Sequence, residues 1–390
     1  MSKQRDVTLM VVPSSDNQMR MIRGILDYAR DTGCIRIAKN AAIPYAPWSM
    51  IGSIHCDGII AYAESSEQLA LLTQLNLPAV NVTMHMAPTQ AIATVHSDNR
   101  LIGQLAAQHL ASLGLKKFAV VGHFGWHHNC LRRDGFVETL CDKQFAADEI
   151  DVQFESEVTG DVSVRRVDRR ALREALAALQ FPIGVFATQD EFAYEVVDAC
   201  HALNRSVPFD ISVLGVNDNR MICETTTPTL SSIAQNSERI GYLAAELLTH
   251  LIDGGQPPQA PICVAPAQII VRRSSDYLAI DDASIVPVVQ FIRERCHRPI
   301  SAQDVAEEFD LGRKLLDKKF RQSLGHSVTK ELRLERIRLA RRLLASTDMS
   351  VIDIGLRCGF ESASGFVRAF RESTGCSPGQ LRRGQVGPKR

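Results

Sequence analysis

Two segments near the C-terminus, residues 301–323 and 349–372, follow one template: a short apolar-periodic helix, a tight turn, and a second helix closed by Lys-Phe or Ala-Phe-Arg. The first reads Asp304-Val305-Ala306-Glu307-Glu308-Phe309-Asp310-Leu311-Gly312 and continues from Arg313 to Phe320. The second reads Val351-Ile352-Asp353-Ile354-Gly355-Leu356-Arg357-Cys358-Gly359-Phe360-Glu361 and continues from Ser362 to Arg371. A duplicated helix-turn-helix can set two narrow helices into two successive major grooves, so this pattern points to double-stranded DNA.

Charge supports that reading once the chain is divided. The whole chain is neutral, but from residue 285 onward 21 Lys/Arg stand against 12 Asp/Glu, a balance of +9, and the residues before carry −9. A basic tail that meets polyanions and an acidic part that does not is the simplest account. A length of 390 residues suggests two or three domains, and 45% apolar content is ample for real cores. The ten Cys are scattered without a C-x-x-C pair, which fits reduced thiols in a cytoplasmic protein better than a disulfide framework or a zinc ribbon. The apolar run 7–12 is a first strand, too short for a secretory core, and no stretch approaches a membrane span.

Before residue 275, β-branched runs (7–12, 58–61, 79–82, 118–122, 184–187, 211–215) alternate with helical patterns (19–32, 97–113, 192–203). This rhythm predicts parallel sheets covered by helices on both faces. Ligands on such sheets sit beyond the carboxyl ends of the strands. No G-x-G-x-x-G or G-x-x-x-x-G-K-[ST] occurs, so no nucleotide cofactor is expected, and no paired acid/base motif suggests an enzyme.

Over residues 7–275 the order of short motifs resembles the sugar-binding core of lac/gal-type repressors. These are Asp57-Gly58-Ile59-Ile60, Leu77-Pro78-Ala79-Val80, Asp98-Asn99, Arg132-x-x-Gly135-Phe136, Ala187-Thr188-Gln189-Asp190, Val207-Pro208 through Gly215, and Pro228-x-Leu230-Ser231-Ser232-Ile233. The resemblance implies a two-lobed α/β periplasmic-binding-protein-like domain, with lobes at about 6–113 with 234–258 and about 116–230 with 260–274. It also implies that Arg132, Asp190 and Asn217 reach a ligand in the cleft. Their chemistry suits hydroxyls, which donate and accept, and a charge-assisted Arg132–Asp190 pair with the Asn217 amide could satisfy several. Asn217 stands where that family usually has an acid, and helix capping is the alternative role of Asp190. In the loop 122–130, Trp126 suits either the C–H face of a sugar ring or a lobe-interface anchor. His123, His127, His128 and Cys130 in that loop match no zinc spacing, so no metal is expected. Ser15, Asp16, Gln18 and Arg20, after the first strand, complete the ligand candidates.

From residue 285 to 383 the chain resembles the AraC/XylS-type DNA-binding domain. The match is carried by Arg336-x-x-x-Ala340-x-x-Leu343-Leu344, Ile354 to Cys358-Gly359-Phe360, Phe366-x-Arg368-x-Phe370-Arg371 and Gly375-x-Ser377-Pro378-x-x-Leu381-Arg382. It implies a connecting helix at about 329–345 and base-facing positions Arg313, Lys314, Asp317 and Lys318 on the first recognition helix. On the second, Ser362, Ala363, Ser364, Val367 and Arg368 are short or flexible enough for phosphate contacts and thymine-methyl packing more than base reading.

The expected architecture is therefore an α/β two-lobed periplasmic-binding-protein-like domain followed by an all-α double helix-turn-helix domain. The parts are an effector and dimerisation domain at 1–275, a linker at 276–284 and a reader at 285–390. The two resemblances together imply a cytoplasmic, dimeric activator that binds tandem operator half-sites, works with RNA polymerase and responds to a pentose such as xylose. A ligand-independent repressor or architectural DNA binder, and more remotely a sugar-modifying enzyme, are the alternatives.

Overall fold

The computed structural model describes residues 4–38, 48–53, 55–159, 162–277 and 282–383. It divides into two compact units, Met1–Tyr277 and Leu278–Arg390.

The first unit opens with β1 (Arg5–Met10), α1 (Asp16–Thr32), β2 (Ile35–Ile37), β3 (Gly58–Ala61), α2 (Ser66–Gln74), β4 (Ala79–Asn81) and β5 (Ala93–Ser97). It continues through α3 (Asn99–Ser112), β6 (Phe118–Gly122), α4 (His127–Cys141), β7 (Ala147–Asp151) and the hairpin strands β8 (Phe154–Thr159) and β9 (Val162–Val167). After these come α5 (Arg169–Ala177), β10 (Ile183–Ala187), α6 (Asp190–Ala202), β11 (Ile211–Val216) and α7 (Arg220–Thr225). The unit closes with β12 (Ser231–Ala234), α8 (Ser237–Ile252), β13 (Ile262–Val264) and β14 (Gln268–Ile270).

Two six-stranded sheets result, ordered β13-β5-β4-β3-β1-β2 and β14-β12-β11-β10-β6-β7. Every neighbour in them is parallel except β12–β14. Parallel strands are buried on both faces, which is why β3, β6 and β10 read as unbroken apolar runs. Helix limits follow local chemistry. The Ser15 hydroxyl caps α1 by accepting from the Gln18 N–H, and Gly33 ends it at φ 64.

The lobe limits differ from the expected ones. The chain leaves the first sheet after Ser97, so α3 belongs to the second lobe, where Ile102, Ala106, Ala107 and Leu110 join Phe118, Phe136 and Phe186 in one core. It returns after β12, adds α8 and β13 to the first lobe, and crosses again between Val264 and Gln268. The reason is backbone proximity between α3 and α4. A Cβ on Gly103 would lie 2.0 Å from the Arg132 carbonyl oxygen, and one on Gly135 2.2 Å from that of Arg100. The first lobe repeats the device, with Gly24 of α1 against Glu238 and Gly241 of α8 against Met21.

The second unit is helical: α9 (Val286–Arg295), α10 (Ala302–Glu308), α11 (Arg313–Leu324), α12 (Val328–Ser346), α13 (Val351–Arg357), α14 (Ala363–Thr374) and α15 (Pro378–Arg382). Serines start most of these helices, and Ser301 and Ser377 form full capping boxes with Asp304 and Gln380. α12 joins the two helix-turn-helix pairs, α10–α11 and α13–α14. Its Ile337, Ala340 and Leu344 enter one core with Ile354, Phe366 and Phe370, and burying each large side chain contributes about 1.5–3 kcal/mol. Arg336 of α12 donates to the carbonyls of Cys296, Arg298 and Ile300, closing the end of α9 with a cation. Gly359, in the turn before α14, meets the same segment. At φ 79, its Cβ would sit 2.6 Å from the Cys296 and Arg298 carbonyl oxygens.

Candidate functional site

Between the two lobes of the first unit lies a cavity of about 230 Å³. Its lining comes from the segments that follow strands: Ser15 and Gln18 after β1, Tyr62 and Glu64 after β3, His85 after β4, Trp126 and His128 after β6, Gln189 and Glu191 after β10, Asn217 after β11, and Gln235 after β12. Parallel strands direct their carboxyl ends toward one edge, so the fold itself collects these polar groups.

The expected residues separate into two groups. Gln18, Trp126, Arg132 and Asn217 line the cavity. Asp16 and Asp190 do not. Asp16 stands in the first turn of α1, where it pairs with Arg20 at 2.6 Å. The fully buried Asp190 accepts from the Ser232 hydroxyl (2.6 Å) and the Asn219 N–H (2.8 Å), so it shapes the turn that carries Asn217. The expected charge-assisted pair is present only as an electrostatic interaction between Arg132 and Asp190, and the hydrogen bonds of both go to other groups. The Arg132 guanidinium donates through Nε to Asn99 Oδ1 (2.9 Å) and through Nη1 to the Thr188 carbonyl (2.5 Å). The carboxylates open to the cleft are those of Glu64 and Glu191.

Burial sets the protonation of this cleft. It pushes Asp190 up to about 7 against the opposing bonds from Ser232 and Asn219. It lowers Arg132 to about 10, and with the Arg132 charge it brings His85 down to about 4. His128 is also held well below the usual imidazole range. Glu191 is reachable from the cleft yet enclosed on most sides, and that enclosure raises its pKa. At neutral pH the two imidazoles are therefore uncharged hydrogen-bonding groups. Trp126 contacts the rings of His85, His123 and Phe192 with centroids at 5.1, 5.1 and 6.1 Å, so it lines the cavity and anchors the lobes together. No group of three or more His, Cys, Asp or Glu side chains is arranged for a metal among the described residues.

Sequence reasoning missed Tyr62, Glu64, His85, Gln189, Glu191 and Gln235. The strand-end rule that suggested residues 15–20 would have reached them had it been applied after every strand.

In the second unit the solvent face of α11 presents Lys314, Leu315, Lys318, Arg321 and Gln322. Arg313 and Asp317 depart from the expected base-facing role. Arg313 donates to the Ala302 carbonyl (2.9 Å) and the Thr329 hydroxyl (3.0 Å), and pairs with Asp317 at 3.0 Å. Asp317 also accepts from the Val328 N–H (3.0 Å), fixing the start of α12. Together they hold the recognition helix against its neighbours. On α14, Ser364, Val367 and Arg368 are exposed. Ser362 caps the helix by accepting from the Gly365 N–H (3.2 Å), and Ala363 is half-buried. No helix among the described residues is long and apolar enough to cross a membrane.

A ligand-sized interlobe cleft followed by two helix-turn-helix units defines a transcription regulator that joins a small-molecule sensor to a DNA reader. Comparison with known proteins agrees, matching a periplasmic binding protein-like domain over residues 107–275 and a helix-turn-helix domain over 305–384. The xylose operon regulatory protein of Escherichia coli K12 is 28% identical over 84% of this chain and 83% of its own length. That of Haemophilus influenzae is 26% identical over 85% and 86%. A solved xylose-binding transcription activator superposes with a TM-score of 0.80 at 23% identity, covering 98% of both chains. A LacI family regulator from Enterococcus faecium with bound ribose matches 70% of this chain and 99% of its own, with a TM-score of 0.52 and 24% identity. The chain is thus a transcription regulator similar to xylose operon regulatory proteins over most of its length, with a helix-turn-helix reader behind a periplasmic-binding-protein-like sensor, and not an enzyme.

Proposed function

We propose that this chain is a cytoplasmic activator of a pentose-catabolic operon, with xylose or a close relative as the effector. The observation that carries the reading is the cleft: a polar-lined space smaller than a drug-sized pocket, with Gln18, Arg132, Asn217 and Gln235 converging beside the Trp126 indole. Amide, hydroxyl and imidazole groups around one fixed cation, with the Glu64 and Glu191 carboxyls as further acceptors, suit a polyol, and an indole face suits its C–H surface. The relatives named for xylose point to the same ligand class.

In this reading residues 1–275 sense and dimerise, 276–284 link, and 285–390 read DNA. Residues 278–281 of that linker lie outside the described ones. Two copies set their readers on tandem half-sites beside RNA polymerase. Gln18, Trp126, Arg132 and Asn217 contact the sugar. Lys314 and Lys318 carry the strongest DNA contacts, with Ser364, Val367 and Arg368 positioning the second helix. Thermal denaturation scans against D-xylose, L-arabinose, D-ribose and D-glucose test the sensor, because a ligand bound by the native state alone must raise the melting temperature. A selective rise with a pentose is the expected result, and no rise with any sugar overturns the reading.

A further inference from the structure

Two consecutive residues after β11, Asn217 at φ 113 and Asp218 at φ 50, hold left-handed backbone conformations without being glycine. Their surroundings impose this. The Asn217 N–H donates to the Ile233 carbonyl (3.0 Å), the Asp218 N–H to Ser232 Oγ (2.9 Å), and the Asn219 N–H to Asp190 (2.8 Å). Conformations held this way gather at ligand sites and switch regions.

The turn gives neighbouring side chains different partners. Asn217 lines the cavity. Asp218 lies between two guanidinium groups. Arg272, from its own lobe, is 2.7 Å from Oδ1, and Arg20, from α1 of the other lobe, is 3.7 Å from Oδ2. Arg20 Nη2 also donates to the Asp218 carbonyl (3.1 Å) and is oriented by Asp16. Gln18, which precedes Arg20 on the same helical turn, lines the cavity. On each side of the cleft, therefore, a cavity-lining residue has a near neighbour in the ion pair.

We propose that Arg20 and Asp218 form an interlobe latch: positioning residues that hold Gln18 and Asn217 in register and tie effector affinity to lobe closure. The proposal rests on the reading of the cleft as a sugar site. It has a distinctive consequence. A sugar is neutral, so its own contacts respond little to salt, whereas the latch is open to ions on one side, through Arg20 with a side-chain exposure of 21%, although Asp218 is buried. Salt screens so enclosed a pair only in part, and it should weaken sugar binding only through the latch.

The test uses the full chain, titrated with D-xylose by calorimetry at low and high salt. Wild-type affinity should fall about twofold as salt rises, and Arg20→Gln should bind D-xylose more weakly than the wild type at low salt and respond less to salt. Asp218→Asn leaves Arg272 without its carboxylate, so Arg20→Gln carries the test on its own. A second measurement needs no sugar: electron-spin labels attached to non-natural side chains at the exposed Ala70 of α2 and Ala177 of α5 report the interlobe distance. Arg20→Gln should lengthen it, and high salt should lengthen it in the wild type alone. Equal distances in both proteins, or D-xylose affinities equal at every salt concentration, overturn the latch. A lengthened distance with no binding of any pentose by the wild type supports the latch and sinks the sugar reading instead.

Discussion

The cleft and the reading face use charge in opposite ways. In the cleft, folding has already desolvated the polar groups: Arg132 is held by Asn99 and Thr188, and the His85 and His128 imidazoles are kept neutral. On α11 and α14 the cations Lys314, Lys318, Arg321 and Arg368 stay in solvent, while the half-buried Arg313 and Asp317 are engaged with neighbouring elements of the fold. A neutral ligand needs fixed dipoles whose desolvation cost is settled before it arrives. A polyanion needs hydrated charges that replace counterions on contact.

The largest break in that comparison should come from Arg132→Ala. It leaves the buried Asn99 and Thr188 acceptors without their donor, at about 1–3 kcal/mol each, and should abolish any sugar-induced rise in melting temperature. Operator binding below the melting transition should persist. A retained sugar shift would move the site elsewhere. Next, Gly359→Ala should destabilise the reader by about 2 kcal/mol or more, read by urea unfolding of the full chain, because its backbone is left-handed and two carbonyls crowd the new Cβ. Asp310→Ala at the matching turn, φ 49, should cost about 1 kcal/mol. Equal costs would erase the asymmetry between the two turns.

Lys314→Ala with Lys318→Ala should weaken operator binding about tenfold and flatten its log–log salt slope by about two. Arg313→Ala should lower stability and leave the slope nearly unchanged, and a flattened slope would return Arg313 to the DNA-contacting set. A smaller effect comes from pH. Asp190 keeps its proton in the native state up to about 7, while an unfolded aspartate loses it near 4. The unfolded chain thus binds fewer protons across that window, and Asp190 lowers stability as pH rises through it. Asp190→Asn should remove this contribution, seen as a flatter difference profile of melting temperature against pH. Ser364→Ala should be the mildest, changing operator affinity less than about threefold.

Much of this was legible in the sequence because it rests on local chemistry. The apolar runs at 58–61 and 118–122 fall on strands, and Gly33, Ser301 and Ser362 mark helix ends. What escaped depends on long-range geometry. That α3 packs on the second lobe follows from Gly103 and Gly135 each meeting the backbone of the facing helix, at Arg132 and Arg100, which no single-segment pattern displays. Asp190 and Arg313 carry the right chemistry for contact, but Asp190 is buried and Arg313 is held by neighbouring helices, and those partners show only once the elements are assembled. His85 and Gln235 sit in connecting segments whose composition says nothing until the sheet is assembled.

The central claim, that sugar in the cleft changes how the reader holds DNA, has a direct test in thermodynamic reciprocity. Operator DNA selected by the full chain from a random pool can be titrated with and without D-xylose, and D-xylose titrated with and without that DNA. The account predicts that each ligand changes the other's affinity by one shared factor that differs clearly from unity. Tight binding of both ligands with a factor of one would contradict it.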